Sequence, residues 1–174
     1  MVEVIMNNYN ENVSIIMPAF NASDFVRGSI QSVLNQTYCH WKLYIINDCS
    51  TDNTKAILAE FKDPRIVFLN TPVNSGVAEA RNMGIAKAQG KYIAFLDSDD
   101  LWVETKLEKQ LDFLENGNDV VCSYYSTFSC SLDKPLSTRL FPLNITYQDM
   151  LVSNKVGNLT GIYNQHKLGK FFQN

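Results

Sequence analysis

Residues 92–100 read YIAFLDSDD: five apolar residues, then three acids within four positions. An apolar run with no polar alternation is the pattern of a strand buried on both faces. Its acids then stand just past the strand's carboxyl end. Working outward, the same arrangement recurs three times: VSIIM stopped by Pro18 and followed by Ala19–Phe20–Asn21, WKLYII (41–46) followed by NDCSTD, and IVFL (66–69) followed by TPVNSG. Helix-like segments lie between them. Residues 24–36 place Val26, Ile30 and Val33 on one face, with Asn21 or Ser23 as candidate caps. A second capped helix runs to Phe61. Residues 77–89 are Ala-rich and end at Gly90, a candidate C′ glycine. Val103, Leu107, Leu111 and Leu114 mark the stripe of a fourth helix stopping near Gly117.

Doubly buried strands alternating with helices predict an α/β fold: a mostly parallel sheet flanked by helices on both faces. A fifth strand is expected at 120–125, a short helix at 146–153 and a short strand at 159–163. Residues 1–174 are read as a single domain.

Composition agrees. A chain of 174 residues with 45% hydrophobic and 19% charged residues has the make-up of one globular domain, not of a disordered or fibrous one. Eighteen acids against 15 bases give a net charge of −3 with no basic block, which argues against binding nucleic acid through its phosphates. The apolar runs are too short to span a bilayer, and the N-terminus lacks the pattern of a secretory signal. Cys39, Cys49, Cys122 and Cys130 form no CxxC pair, so reduced thiols in a cytoplasmic protein are expected.

In open parallel sheets, ligands bind beyond the carboxyl ends of the strands. The strand exits carry no GxGxxG and no P-loop, which excludes the usual dinucleotide and P-loop sites. Asp97, Asp99 and Asp100 support two readings. They can cap the following helix and suit its dipole. Alternatively, they hold a divalent cation. Two carboxylates about 4 Å apart repel by roughly 4 kcal/mol at an effective dielectric near 20, so without a cation one is driven toward protonation. A hard cation shared with substrate phosphates relieves the conflict. Asp48 can make a turn, but Thr51 and Asp52 can do the local capping, which frees it for a ligand. Arg81, one turn into its helix, is either a surface partner of Glu79 or a cation pointing back to the strand exits. The small residues Ala78, Ala80 and Gly84 would let that helix approach the sheet closely. Phe20 is a core residue or a stacking surface.

Taken in order, VSIIMPAFN (13–21), IINDCSTDNT (45–54), NSGVAEARNMGIAKAQGKYIAFLDSDD (74–100) and NDVVCSYY (118–125) resemble the family 2 glycosyltransferases of GT-A fold. The resemblance covers residues 12–173 and implies a bacterial enzyme of surface polysaccharide synthesis. Its donor would be a nucleotide-diphospho-sugar, UDP-linked, and its acceptor a saccharide or lipid-linked saccharide. It implies that Pro18, Ala19 and Phe20 lie against base and ribose, that Asp48 bonds the uracil ring, and that Arg81 helps hold the nucleotide. Asp97, Ser98 and Asp99 match the DxD motif, with Asp97 beside the ribose and Asp99 on a Mn²⁺ or Mg²⁺ ion. Transfer would proceed with inversion, in the cytoplasm or at the inner face of the membrane. The sequence departs from the family at Asn47 and Cys49, where a second acid and a glycine are common. The family's general base, usually the Asp of a Glu-Asp pair, is expected beyond Asn174, which makes this a C-terminally incomplete domain. Asp149 reads as an exposed helix residue and His166 as a solvated loop residue. The alternative is a non-catalytic module that binds UDP or a UDP-sugar.

Overall fold

Because VSIIMPA is apolar almost throughout, strand β1 (Val13–Ala19) is buried along its whole length and becomes the centre of the molecule. The computed structural model describes residues 12–128, 135–140, 142, 145, 148 and 156–173. β1 pairs in parallel with β2 (Trp41–Asn47) on one side and β4 (Tyr92–Phe95) on the other, and β2 pairs in parallel with β3 (Ile66–Asn70). Beyond β4 the sheet continues with β8 (Ile162–Asn164), antiparallel to both β4 and β5 (Val120–Val121). The strand order is β3-β2-β1-β4-β8-β5. The chain therefore reverses direction across the sheet between β1 and β4, which is a topological switch point.

Alternate residues of β1 feed opposite cores. Val13, Ile15 and Met17 share a cluster with Val26, Ile30 and Val33 of α1 (Val26–Leu34) and with Leu107, Leu111 and Leu114 of α4 (Lys106–Glu115). Ile16 faces the other way, into a cluster with Ile46, Ala80 and Ile85 under α3 (Val77–Lys87). A Cβ added to Gly84 would lie 2.7 Å from Ile16 and 2.8 Å from Ile46, so this helix rests on the sheet through a bare glycine. The helix-on-each-face layout is thus met.

Several boundaries differ from the sequence reading. α1 starts at Val26 with no side-chain cap, because Asn21 and Ser23 belong to a different network described below. α2 is only Thr54–Leu58, although i→i−3 bonds from Glu60 and Phe61 carry a tighter turn onward. Gly90 is no helix cap. A Cβ there would meet the backbone of Asn12 and Ser14 at 2.8 Å, so glycine permits close approach to the start of β1. Gly117, at φ 103°, does end α4 as a C′ glycine. Val103 is 72% exposed and lies outside the stripe.

The predicted strand at 120–125 is two elements. β5 joins the main sheet, whereas β6 (Tyr125–Thr127) forms a separate antiparallel ribbon with β7 (Ser137–Arg139). The strand expected at 159–163 is a 3-10 turn, Asn158–Thr160, leading into β8 and then the short α5 (Gln165–Leu168). The helix expected at 146–153, Gln148 apart, lies outside the described residues, as do Asp149 and Cys130. No helix among the described residues is long and apolar enough to cross a membrane.

Candidate functional site

The carboxyl ends of β1, β2 and β4 and the start of α3 surround a cavity of about 290 Å³. Pro18, Ala19, Phe20, Asp48, Arg81, Asp97, Ser98 and Asp99 all border it. These residues are far apart in sequence, and the switch point brings them together. Asn74, Gly76, Val77 and Ala80 complete the lining. The sequence reading placed Asn74 and Gly76 in a strand exit and Ala80 on the sheet-facing side of its helix, but no charge or motif marked these residues or Val77 as cavity lining.

Two exit loops are laced to each other. Asn21 sits at φ 48° and its Oδ1 accepts from the Thr51 N–H at 2.8 Å and, more weakly, from that of Asp52 at 3.4 Å. In return Ser50, Thr54 and Asp52 accept from the N–H groups of Asn21, Ala22 and Ser23 at 3.1, 2.8 and 3.0 Å. Cys49 occupies the left-handed region at φ 61°, a conformation that favours glycine.

Asp48 is 3% exposed. Its Oδ1 accepts from Thr71 Oγ1 at 2.7 Å and Ser75 Oγ at 3.0 Å, and its Oδ2 from the Gly76 N–H at 2.8 Å. The Ser75 N–H bridges both oxygens at 3.0 and 3.2 Å. Burial pushes this carboxyl up, but the bonds from Thr71, Ser75 and Gly76 outweigh it and hold the pKa below the ordinary value. The sequence reading left Asp48 free. The structure instead spends its oxygens on seating the loop between β3 and α3.

Arg81 pairs with Asp97, not Glu79: Nη2 lies 2.5 Å from Oδ1, and the two side chains are 13% and 30% exposed. Nη1 donates to Gln173 Oε1 at 3.1 Å. Asn158, with its amide oxygen turned to the guanidinium as the donor pattern requires, accepts from Nη2 at 3.0 Å and Nε at 3.3 Å. Asn158 is held there by α4 and its lead-in: Trp102 Nε1 donates to the Leu159 carbonyl at 3.0 Å, and Gln110 Nε2 to that of Thr160 at 2.8 Å. Neither Asn158 nor Gln173 carries a sequence signal, since an amide in a polar stretch looks like any other.

The acidic turn does not cap a helix. α4 begins at Lys106 behind Thr105, well past Asp100, and Thr105 makes no capping bond. Instead the Asp100 N–H bonds the Asp97 carbonyl at 3.1 Å, and Ser29 Oγ donates to the Ser98 carbonyl at 2.8 Å, which fixes the turn on α1. Burial, then the negative charges of Asp99 and Asp97, push Asp100 up to about 6. The carboxylate crowding foreseen from the spacing thus contributes, second to burial. Asp99 borders the cavity, is exposed, and makes no hydrogen bond or ion pair among the described residues.

A sheet in the order 3-2-1-4 with a cavity at the β1/β4 switch point defines a doubly wound α/β domain. The chain belongs to glycosyl transferase family 2, whose family model matches residues 14–171. Among curated relatives, it is 38% identical over 160 residues to the Escherichia coli protein WfgD, a UDP-Glc:α-D-GlcNAc-diphosphoundecaprenol β-1,3-glucosyltransferase, covering 91% of this chain and 62% of that one. It is 41% identical over 143 residues to WfaP of Escherichia coli, of the same description, covering 81% and 56%. The chain thus spans less than two thirds of either relative. Among solved structures, S. aureus TarS 1–349 in complex with UDP-GlcNAc superposes with a TM-score of 0.71 at 21% identity, over 90% of this chain and 46% of that one, and shows the shared fold.

Proposed function

We propose that this chain is the donor-binding portion of an inverting glycosyltransferase that moves a sugar from a UDP-linked donor to an acceptor hydroxyl in bacterial surface polysaccharide synthesis. The observation that carries the reading is the convergence of Phe20, Arg81, Asp97 and the unpartnered Asp99 on one cavity at the switch point. Phe20 is 47% exposed at the rim, where its ring offers the base a stacking face beside Pro18 and Ala19. Four donors already occupy the Asp48 oxygens, so we assign it the seating of loop 71–76 beside the base in place of a direct bond to uracil. Arg81 keeps one Nη1 hydrogen and its charge for the diphosphate, while holding Asp97 in place.

The donor set fits a hard divalent cation, Mn²⁺ or Mg²⁺. Asp99 and the second oxygen of Asp97 are carboxylates at the cavity wall, the hard oxygen ligands such an ion takes. Among the described residues no three His, Cys, Asp or Glu groups gather closely enough to hold a metal unaided. Diphosphate oxygens would supply the remaining ligands. When bound, such an ion neutralises charge on the departing UDP. The acceptor hydroxyl attacks the anomeric carbon from the face opposite the diphosphate. A new C–O bond forms as the sugar–phosphate bond breaks, and the hydroxyl proton passes to a base. The names of WfgD and WfaP favour UDP-glucose as donor and a lipid-linked saccharide as acceptor.

Calorimetric titration with UDP, with and without Mn²⁺, tests this. Metal-dependent binding is expected, weakened about tenfold or more by Asp99→Asn, the loss of one charged ligand. Absence of UDP binding, or equal binding by the variant, overturns the reading.

A further inference from the structure

The last described residues do not simply trail off the domain. Lys170 Nζ donates to the Ala86 carbonyl at 3.0 Å, and the Phe171 N–H donates to Tyr163 Oη at 3.3 Å while the two rings meet at 5.1 Å. Asn82 then grips the backbone of Gln173 from both sides, its Oδ1 accepting from the N–H at 2.7 Å and its Nδ2 donating to the carbonyl at 2.8 Å. Residues 170–173 thus run along α3 against its direction and deliver the Gln173 side chain to Arg81 Nη1. On the far side of the same guanidinium stands Asp97.

We propose that Gln173 is a positioning residue. It fixes the guanidinium plane of Arg81, and through it the share of the Arg81 charge that goes to Asp97 and the share left for the donor diphosphate. Asp97 and Asn158 hold the Nη2 and Nε side of the fork, and Gln173 supplies the contact on the Nη1 arm, which leaves the guanidinium one orientation. The side-chain amide of Gln173 suits this task because it accepts a bond without adding a negative charge to a cavity that already holds three carboxylates. The inference rests on the cavity being the UDP site proposed above, with Arg81 facing the diphosphate.

The test is a double-mutant cycle read as the calorimetric Kd of UDP in Mn²⁺ buffer. Gln173→Met keeps the length of the side chain and removes the acceptor. It is expected to weaken UDP binding by roughly fivefold, the scale of one hydrogen bond, and Asn82→Ala, which releases the strap, by a similar factor. In an Arg81→Met background, Gln173→Met should cost nothing further, because its effect passes through the guanidinium. A strap that served only to hold the fold together would weaken binding equally in both backgrounds, and that result overturns the proposal. So does unchanged UDP affinity in Gln173→Met while Arg81→Met binds weakly; that outcome leaves the UDP site standing. If the parent binds no UDP, or Arg81→Met binds as well as the parent, the site reading falls and the positioning role falls with it.

Discussion

At Gly76 the backbone stands at φ 87° and ψ 162°, a region essentially closed to residues with a Cβ. The conformation is what aims the Gly76 N–H at Asp48 Oδ2. Nothing lies within 4 Å of an added Cβ, so the cost of a side chain there is torsional and not steric. Gly76→Ala should therefore lower stability by about 1–3 kcal/mol, measurable as a shift in the urea midpoint. Cys49 shows the opposite economy: a non-glycine residue tolerated in the left-handed region because the lacing between Asn21 and Thr51–Asp52 over-determines the loop. At this scale the sequence was legible where charge or size marked a residue. Asp97, Asp99 and Arg81 announced themselves. Gln173 and Asn158 did not, because an amide acquires its meaning only from the partner that the fold supplies.

Among the elements, α3 is the one whose composition foretold its packing. Ala80 and Gly84 are buried against β1 and β2, as their size suggested. Gly84→Val would drive branched methyls into Ile16 and Ile46, where even a Cβ sits at 2.7–2.8 Å. The expected loss is about 2 kcal/mol or more, and because α3 carries Arg81, binding at the cavity should suffer alongside stability in thermal melts. β1, β2 and β4 were readable for the same reason, since burial on both faces leaves an unbroken apolar run. β3 carries the same run, yet at the sheet edge it buries only Ile66 and leaves Phe68 38% exposed, so the expectation of double burial fails there. The third part of the chain was not readable in this way. β5 and β6 are short and only partly buried, and a continuous run such as VVCSYY does not show where one sheet ends and a separate ribbon begins. Helix starts also escaped, since Asn21, Ser23 and the acidic turn look like caps but are engaged elsewhere.

Across the whole molecule, three aspartates make the fold acid-sensitive: Asp48 and Asp52 tie separate loops together, and Asp63 fastens its own turn to Arg65. For Asp48, burial is outweighed by the bonds from Thr71, Ser75 and Gly76. The Arg65 side chain lowers Asp63, and bonds from Thr54 and Ser23 bring Asp52 to about 2. A carboxylate whose folded pKa is depressed contributes stability that is complete above its unfolded value, about 3.9, and is lost as pH falls toward the folded one. Urea midpoints should accordingly decline between about pH 4 and 2, with a shallower decline in Asp48→Asn, whereas from about pH 6 down to 4 protonation of Asp100, raised to about 6 in the fold, adds stability as pH falls. That variant should also start from a lower midpoint at pH 6, because an amide cannot accept from every donor that now surrounds Asp48.

The insertion of β8 between β4 and β5 has a temporal consequence. A ribosome that has finished β4 must add about 70 more residues before β8 exists, which at 5–20 residues per second takes several seconds. Through that interval β4 carries an open hydrogen-bonding edge, and β5, whose only sheet partner among the described residues is β8, has nothing to join. The three-layered half that bears Phe20, Asp48 and the acidic turn can close during synthesis, while its neighbour waits on a distant segment. An unpaired apolar strand edge is a template for the wrong chain as readily as for the right one. The nascent protein is thus most exposed to mispairing after the cavity at the switch point has taken shape and before its sheet is whole.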